Sequence, residues 1–459
     1  MNNFNLKVKF TLLFILIGLI PSITISVIST LNSSSDVSTK VYNQLTAINQ
    51  IKKQSIENYF GERQGDMGVL VDIADTQQTQ AFQKLSAVNN IKKAQVTDYF
   101  ENSYAQLDVL AAAGEIKRNL KDLDNNFGNK ARWARLLDKY DPLYKPLLDI
   151  FGWYDFFILN NDGDVIYSVT RESDLGQNLA RDLGDSSFYV AFEGASQASD
   201  NRVHFADFKP YKPSNNDPAA FAIKPITDEG KRIGYIALQQ PLDKVNEILG
   251  NRNGMGDTGE SYLVGQDLLM RSDSYLNPTA FSVVASFAGN NQVTTKAARS
   301  ALRGEAGTAI ILDYNNNPVV SSWDFIDIGS GVRWAIISEV DVAEALNPKT
   351  SGNEEFYANY IKEYGYYDLF LINPDGHIFY TVAKEADFNT NIFNGAYSSS
   401  NLGDLIKLVS SSKSYGFVDF QPYAPSNNAP AAFIAQPLVD ASGDISLYIA
   451  LQLPLEGIQ

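Results

Sequence analysis

The chain has 459 residues, of which 44% are hydrophobic, enough for about three ordinary domains. Its formal net charge of −16 argues against a nucleic-acid-binding role, which would need a basic surface to neutralise phosphates. The absence of cysteine excludes disulfides, thiol catalysis and cysteine-ligated metal centres.

The first predicted element is a membrane-spanning helix. Residues 10–31 contain no charged side chain and are long enough to cross the roughly 30 Å hydrocarbon core of a bilayer. Lys7 and Lys9 precede this segment and Asp36 is the first charge after it, so the positive-inside rule puts the short N-terminus in the cytoplasm and the rest outside. A cleavable signal peptide is the alternative, although the apolar run is longer than a usual signal core and no A-x-A site follows.

The stretch from Ser33 to about Leu148 is predicted to be mostly helical and contains a short repeat. Residues 45–60 and 85–100 match at an offset of 40 (85 − 45 = 40), each with an Ile-Lys-Lys centre. Both copies carry an apolar stripe at helical spacing. The stripes are Leu45, Ile48, Ile56, Tyr59 and Phe60, and Leu85, Val88, Val96, Tyr99 and Phe100. Such a stripe packs on its own domain or pairs in a homodimer, and the two interpretations are compatible.

A longer repeat organises the rest of the chain. Residues 153–178, WYDFFILNNDGDVIYSVTRESDLGQN, return as residues 366–391, YYDLFLINPDGHIFYTVAKEADFNTN, at an offset of 213 (366 − 153 = 213). Further matches link residues 207–221 to 419–433, and 235–239 to 448–452. An internal repeat of this length predicts two copies of one folded unit.

Each copy alternates apolar runs with turn residues. Residues 155–159 and 164–169 flank Asp162–Gly163, which predicts a β-hairpin. Short apolar runs at 220–223 and 234–239 predict further strands. A small antiparallel sheet with helical flanks is the simplest fold for such a unit.

A unit of different sequence lies between the copies. Gly254, Gly256 and Gly259 match G-x-G-x-x-G, but a helix-like run precedes them and a strand-like run follows, the reverse of the order in a dinucleotide site. A second small sheet is predicted from strand-like runs at 261–264, 308–314, 318–323 and 333–340. The apolar run at 281–287 is also short enough to be a buried strand.

The sequence resembles a known family. The order of a membrane helix, a long extracytoplasmic helix, a module with WYDFFIL…DG…IYSV…RE and a module with GMGDTGESYLVGQDLLMRSDS is similar to the double Cache sensor regions of bacterial methyl-accepting chemotaxis proteins and related sensor kinases. The resemblance implies an α+β fold in which long N-terminal helices precede three PAS-like (Cache) antiparallel-sheet modules. The expected divisions are 1–32 for the cytoplasmic N-terminus and transmembrane helix, 33–129 for a helical stalk, 130–250 for a distal-type module, 251–347 for a proximal-type module and 350–459 for a second distal-type module.

The resemblance also implies a function. It suggests a small-molecule sensor region of a chemotaxis receptor, anchored by a single pass in the bacterial inner membrane with its bulk in the periplasm. The sensor region of a histidine kinase or nucleotide cyclase is an alternative, and so is an anchored adhesion or scaffold protein. Because receptors of this type continue into an output domain, we expect a truncated receptor. The expected partners are a small molecule of unknown class, the membrane and a second copy of the chain, without nucleic acid.

Patterns for catalysis or metal binding are missing from the sequence. His204 and His377 are its only histidines, and neither belongs to a ligand spacing. Residues 160–164 resemble the start of a calcium loop but lack its twelfth-position ligand, which favours a hairpin turn. We therefore expect a protein that is not an enzyme and that uses no cofactor and no metal.

A ligand pocket is expected between the sheet and its covering loops. The candidate ligand-binding residues are the repeated polar and aromatic positions of the first copy: Tyr154, Asp155, Tyr167, Arg171, Glu172, Asp174, Asp207 and Tyr211. Their counterparts are Tyr367, Asp368, Tyr380, Lys384, Glu385, Asp387, Asp419 and Tyr423. Core packing of the tyrosines and loop capping by the aspartates at 207 and 419 are the alternative roles. Amino-acid-binding Cache sensors have an arginine two residues before Trp-Tyr, where this chain has Phe151, so that ligand class does not follow.

Of the two copies, the first is predicted to be the working sensor. It alone is followed by the GMGDTGE segment and preceded by the helix from the membrane. The ligand is expected near Tyr167, Arg171, Glu172 and Asp207. Arg171→Ala is then expected to abolish binding while leaving the melting temperature nearly unchanged, as for an exposed loop cation.

Overall fold

The computed structural model describes residues 5–349, 352–440 and 442–454. The remaining positions of the predicted N-terminus and last module lie outside these ranges. The chain begins with one helix of 107 residues, α1 (Leu6–Ala112), which at 1.5 Å per residue extends over about 160 Å. Its N-terminal part is long and apolar enough to cross a membrane, and none of that part is buried within the described chain. The predicted boundary at residue 32 therefore falls inside a continuous helix.

Two further helices, α2 (Gly114–Asn126) and α3 (Lys130–Phe151), lead into the first unit, which we define as residues 153–240. This unit is an antiparallel sheet in the order β2-β1-β5-β4-β3. Its strands are β1 (Asp155–Leu159), β2 (Val165–Ser168), β3 (His204–Pro210), β4 (Pro218–Asp228) and β5 (Lys231–Gln239). The hairpin predicted around Asp162–Gly163 is confirmed, since β1 pairs with β2. One face of the sheet packs on α4 (Leu179–Asp182) and α5 (Ser187–Gln197), and the other on α1, α2 and α3.

The middle unit, residues 241–349, contains a second antiparallel sheet in the order β6-β9-β8-β7. Its strands are β6 (Glu260–Val264), β7 (Gly307–Leu312), β8 (Pro318–Gly329) and β9 (Val332–Asp341). Its helices are α6 (Leu242–Gly250), α7 (Pro278–Phe281), α8 (Val283–Gly289), α9 (Lys296–Leu302) and α10 (Val342–Leu346). All four strands were predicted from apolar runs, and each is confirmed.

One prediction for the middle unit is wrong. The apolar run at 281–287 forms helix rather than a buried strand. Pro278 stands in the first turn of α7, where a missing N–H costs nothing. The Ser282 side chain accepts a hydrogen bond from the N–H of Ala285 and so caps the start of α8. These two local signals decide the structure of a run whose composition alone is ambiguous.

The last unit, residues 352–454, repeats the topology of the first, in the order β11-β10-β14-β13-β12. Its elements are α11 (Phe356–Tyr364), β10 (Asp368–Ile372), β11 (Ile378–Thr381), α12 (Asn401–Ser412), β12 (Gly416–Tyr423), β13 (Ala429–Val439) and β14 (Ile445–Leu453). The register is also repeated, because Asp368 pairs with Gln452 as Asp155 pairs with Gln239. The helix before the sheet is shorter, with 9 residues in α11 against 22 in α3.

All three units pack on α1. The two copies of the short helical repeat mark the positions at which the first and last units contact this helix. Phe100 of α1 makes an edge contact with Phe205 of the first unit, with ring centroids 5.7 Å apart. Forty residues earlier, Phe60 makes an edge contact with Phe417 of the last unit, at 4.9 Å. Phe205 and Phe417 occupy equivalent positions in the long repeat. The duplicated unit therefore docks on a duplicated segment of helix.

The expected α+β fold, with long N-terminal helices followed by antiparallel sheets, is confirmed. The assignment of the three sheets to three Cache modules, with the boundaries given above, stays a prediction.

Candidate ligand-binding sites

The candidate residues of the first unit fall into separate groups. Tyr167 and Arg171 face α3. The Tyr167 hydroxyl donates to Asp141 over 2.9 Å, and Arg171 forms ion pairs of 2.8 Å with both Asp138 and Asp141. The Arg171 side chain is only 34% exposed. Helix α3 therefore supplies two carboxylates to this loop cation, which stays partly exposed.

Asp155 is buried at the base of the β1–β2 hairpin. Its carboxylate accepts hydrogen bonds from the backbone N–H groups of Phe156, Val169 and Thr170, and from the hydroxyls of Ser168 and Thr170. Burial raises the pKa of Asp155, although these hydrogen bonds oppose the shift. The contacts tie the residues after β2 to the start of β1.

A second group lies where the segment after β2 meets the turn between β3 and β4. Glu172 accepts hydrogen bonds from the hydroxyls of Tyr154 (2.7 Å) and Ser214 (2.8 Å). The Tyr211 hydroxyl donates to Asp174 over 2.7 Å. Asp174 is fully buried, and burial raises its pKa to about 7. Its other carboxylate oxygen, Oδ1, has no hydrogen-bond partner within the described residues.

Asp207 stands apart from both groups, at the contact with the middle unit. Its two carboxylate oxygens each accept a hydrogen bond of 2.8 Å from the guanidinium of Arg271, and the indole N–H of Trp334 donates to it over 3.0 Å. Arg271 is only 2% exposed and also pairs with Asp267. Asp207 therefore joins the first unit to the middle unit.

The structure thus brings Tyr154, Glu172, Asp174 and Tyr211 into neighbouring hydrogen-bonded pairs, but separates them from Tyr167 and Asp207. Tyr167 and Tyr211 belong to the hydrophobic clusters on opposite faces of the sheet. The role of these eight residues as ligand contacts stays a prediction. The cavity beside Tyr211 has a volume of about 70 Å³.

The last unit reproduces the second group closely. The Tyr367 hydroxyl donates to Glu385 (2.8 Å), the Ser426 hydroxyl donates to the same carboxylate (2.6 Å), and the Tyr423 hydroxyl donates to Asp387 (2.6 Å). Burial raises the pKa of Asp368, the counterpart of Asp155, to about 7. Each copy of the repeated unit therefore builds this network from its own residues.

The surroundings of the last unit differ from those of the first. Asp419, the counterpart of Asp207, forms no ion pair within the described residues, and its carboxylate accepts only the N–H of Phe420. Tyr380, the counterpart of Tyr167, donates to Glu355 over 2.8 Å. Lys384, the counterpart of Arg171, has no carboxylate within 4.0 Å among the residues that the structure describes.

Lys384 lines a cleft of about 560 Å³ between the middle and last units. The residues around this cleft are Gly256, Asp257, Thr258, Asp341, Ala343, Glu344, Asn347, Pro348, Lys349, Glu355, Phe379, Tyr380, Lys384 and Phe388. Sequence reasoning did not identify it, because its two walls are far apart in the chain and only the fold brings them together.

The glycine-rich segment forms part of one wall of the cleft. The backbone N–H groups of Asp257 and Thr258 donate to the carboxylate of Glu344, over 2.7 and 2.8 Å. Burial opposes ionisation of Glu344, but these hydrogen bonds outweigh it and lower the pKa of that carboxyl. Any anion-binding capacity of this loop is therefore taken up by a side chain of the protein itself.

Within the described ranges, no three acidic or histidine side chains converge in a way that could hold a metal ion.

The fold was compared with known proteins. No protein-family model matches this chain, and no curated protein matches it. Among solved structures, the ligand-binding domain of the Pseudomonas aeruginosa PAO1 amino acid chemoreceptor PctB in complex with L-Gln matches with a TM-score of 0.39 and 17% identity, over 61% of this chain and 97% of that one. The ligand-binding domain of the Pseudomonas fluorescens chemoreceptor CtaA in complex with L-isoleucine matches with a TM-score of 0.40 and 13% identity, over 59% and 96%.

A third match comes from a kinase. The extracellular domain of the histidine kinase vpHK1S-Z8 has a TM-score of 0.38 and 12% identity, over 60% of this chain and 94% of that one. The structural neighbours are Cache-type ligand-binding domains. These three structures come from chemoreceptors and a histidine kinase, the kinds of protein that the sequence resembles. At these low identities, the ligands of the Cache-type neighbours are properties of those proteins alone.

Proposed function

We propose that this chain is the membrane-anchored, extracytoplasmic small-molecule sensor region of a signal-transduction receptor, most like a methyl-accepting chemotaxis protein. The observation that carries the proposal is that one helix holds every sheet and also contains the apolar segment. Strands β4, β8 and β13, one from each sheet, contact α1. A rearrangement in any of the three units therefore acts on a helix that leads to the membrane.

The contacts of α1 with the segment joining the first and middle units support this coupling. The ammonium of Lys92, buried in α1, donates to the carbonyls of Leu249 (2.6 Å) and Asn251 (2.8 Å) at the end of α6. Burial lowers the pKa of Lys92 to about 8. The neighbouring Lys93 forms an ion pair of 2.7 Å with Asp324 of the middle sheet. A shift of the middle unit therefore pulls directly on α1.

Ligand binding is tested with the full chain in lipid nanodiscs. Thermal unfolding is followed across a library of metabolites from different chemical classes. A ligand that binds only the folded state adds roughly 2.7 kcal/mol at 100 times its dissociation constant, so a true ligand raises the melting temperature clearly. If no class of compound raises it, the proposal fails and an adhesion or scaffold role is favoured instead.

Membrane orientation is tested separately, and the lack of native cysteine gives this test a zero background. Ser33→Cys and Asn5→Cys flank the apolar segment. In intact cells, a membrane-impermeant maleimide should label the cysteine at position 33 and leave the one at position 5 unlabelled. Labelling at position 5 alone would contradict the proposed orientation.

Pairing with a second copy stays part of the proposal. In the first helical repeat, Leu45, Ile48 and Ile56 are exposed on α1, whereas their counterparts Leu85 and Val96 are buried under the sheets. We expect Ile48→Cys to form an intermolecular disulfide in membranes, since the anchor raises the effective concentration. Val69→Cys, an exposed position further along α1, serves as the control. A wholly monomeric product at position 48 would count against pairing.

A further inference from the structure

We propose that the cleft between the middle and last units binds a small organic carboxylate with an apolar or aromatic body, held at its charged end by Lys384. This inference rests on the proposed sensor function and identifies for it a site and a ligand class. It places the ligand at the last unit, and not at the first-unit residues predicted from the sequence.

The first unit shows what the position of Lys384 binds. Its counterpart, Arg171, holds the carboxylates of Asp138 and Asp141, both from α3. Arg171 and Lys384 share the left-handed backbone conformation, with φ of 58° and 50°, so the two cations leave the backbone in the same way. The duplicated position is therefore built to present a cation to carboxylates.

In the last unit, no carboxylate among the residues that the structure describes pairs with Lys384. Glu355 takes over the hydrogen bond to the tyrosine, but it accepts from Tyr380 and Asn347 and not from Lys384. Residues 350 and 351, which lie outside the described ranges, are threonine and serine and carry no carboxylate. A ligand carboxylate can thus take the role of Asp138, the second carboxylate that Arg171 holds in the first unit.

The acidic residues of the cleft do not prevent an anion from binding near Lys384. Glu344 is satisfied by the N–H groups of the glycine-rich segment, and Glu355 by Tyr380 and Asn347. The two other acidic side chains, Asp257 and Asp341, belong to the middle unit and therefore to the opposite wall from Lys384. This separation fixes the direction of the ligand, with its carboxylate toward the last unit.

The remaining lining suits an apolar body. Phe379 and Phe388 of the last unit and Ala343 and Pro348 of the middle unit line the cleft. Phe388 is 40% exposed, unusual for a phenylalanine, so a ligand ring against it would remove apolar surface from water. A volume of about 560 Å³ lies within the roughly 300–1,000 Å³ of small-molecule pockets.

The test uses the full chain in nanodiscs and 3-phenylpropionate as the probe, with binding measured by ligand-detected NMR and calorimetry. The neutral 3-phenylpropanamide and the cationic 3-phenylpropylammonium are matched probes of similar size. We expect the anion to bind at least about tenfold more tightly than either of them. Equal binding of the amide would overturn the assignment of a carboxylate.

Variants of Lys384 and Arg171 show which unit binds the probe. Lys384→Gln should weaken binding of 3-phenylpropionate by about tenfold, and Lys384→Arg should keep it within about threefold. Arg171→Gln is the matched control in the first unit and should leave it unchanged. If Arg171→Gln loses binding of 3-phenylpropionate while Lys384→Gln keeps it, the inference is wrong. The first unit would then again be the predicted sensor. Because Lys384 is exposed and has no carboxylate partner within the described part of the chain, its variants should retain the wild-type melting temperature.

The outcome separates this inference from the proposed function. If the metabolite library stabilises the chain but no carboxylate binds the cleft, this inference is wrong and the sensor proposal stands. If neither the library nor the probe has any effect, both are wrong.

Discussion

The first and last units have the same topology, the same register and the same hydrogen-bonded network around Glu172 and Glu385, but they have different neighbours. The first unit is joined to the middle unit by Asp207 and Arg271, and its loop cation is neutralised by α3. The last unit has the counterparts Asp419 and Lys384, which form no ion pair within the described residues. Duplication has therefore preserved the unit, while the surroundings have given equivalent residues different roles.

The largest expected difference between the units lies at Asp207 and Asp419. Asp207→Ala leaves the buried guanidinium of Arg271 without its main partner, which should cost about 3–5 kcal/mol of unfolding free energy. Asp419→Ala should change it by less than about 0.5 kcal/mol, because this carboxylate has no ion pair within the described residues. Hydrogen exchange measures both losses, in β3 for the first variant and in β12 for the second, because all four tryptophans lie before or within the middle unit and their fluorescence does not report on the last unit. Equal losses in the two variants would contradict the comparison.

The pH dependence of stability should come next in size. Burial raises the pKa of Asp174 to about 7 in the folded unit, well above its value in an unfolded chain. Between about pH 4 and pH 7 the folded state holds a proton that the unfolded state has lost. Stability of the first unit should therefore fall as pH rises through this window, by up to about 4 kcal/mol.

Asp174→Asn should reduce this slope in urea unfolding measured by tryptophan fluorescence; the part that remains reflects other buried carboxyls such as Glu339, whose pKa burial raises to about 8. Asp387→Asn, the equivalent change in the last unit, should leave the slope in place because that unit contains no tryptophan. An unchanged slope in Asp174→Asn would show that another group is responsible.

The docking contacts on α1 should differ by a smaller amount. Phe100 is buried and contacts Tyr104, Phe205 and Trp334, so Phe100→Ala should cost about 3 kcal/mol. Phe60 is only half-buried and contacts Phe417 across units, so Phe60→Ala should cost about 1 kcal/mol. Chemical unfolding measures the cost of Phe100→Ala, and hydrogen exchange in β12 measures the cost of Phe60→Ala. Equal costs would mean that the last unit is held as tightly as the first.

The smallest expected effect concerns the loop cations. Arg171→Gln should lower the unfolding free energy by less than about 1 kcal/mol, since its ion pairs are partly exposed. Lys384→Gln should have no measurable effect. Differential scanning calorimetry of both variants decides this, and a larger loss in Lys384→Gln would reveal an internal partner for that lysine.

Much of the fold could be predicted from the sequence, because strand runs, turn residues and the repeat are local signals. The hairpin around Asp162–Gly163 and the strands of the middle unit are examples. The error at 281–287 arose because a short apolar run fits both a strand and a helix, and the capping role of Ser282 decided the outcome.

The site could be predicted only in part. The sequence identified the tyrosines and carboxylates of the network, which are within reach of one another along one unit. It did not identify Arg271, since nothing local indicates that this arginine is buried against a carboxylate 64 positions earlier. The role of α3 beside Arg171, and the cleft beside Lys384, likewise depend on packing between distant segments.

The central claim is that one unit is docked twice on α1, at helix positions 40 residues apart. Spin labels at Asp162→Cys and Asp375→Cys, the equivalent exposed turns of the two copies, measure this in the cysteine-free chain by pulsed electron resonance. A rise of 1.5 Å per residue predicts a separation of about 60 Å in nanodiscs. A main distance below about 40 Å would show that the two units do not occupy equivalent places on the helix, and would contradict the account.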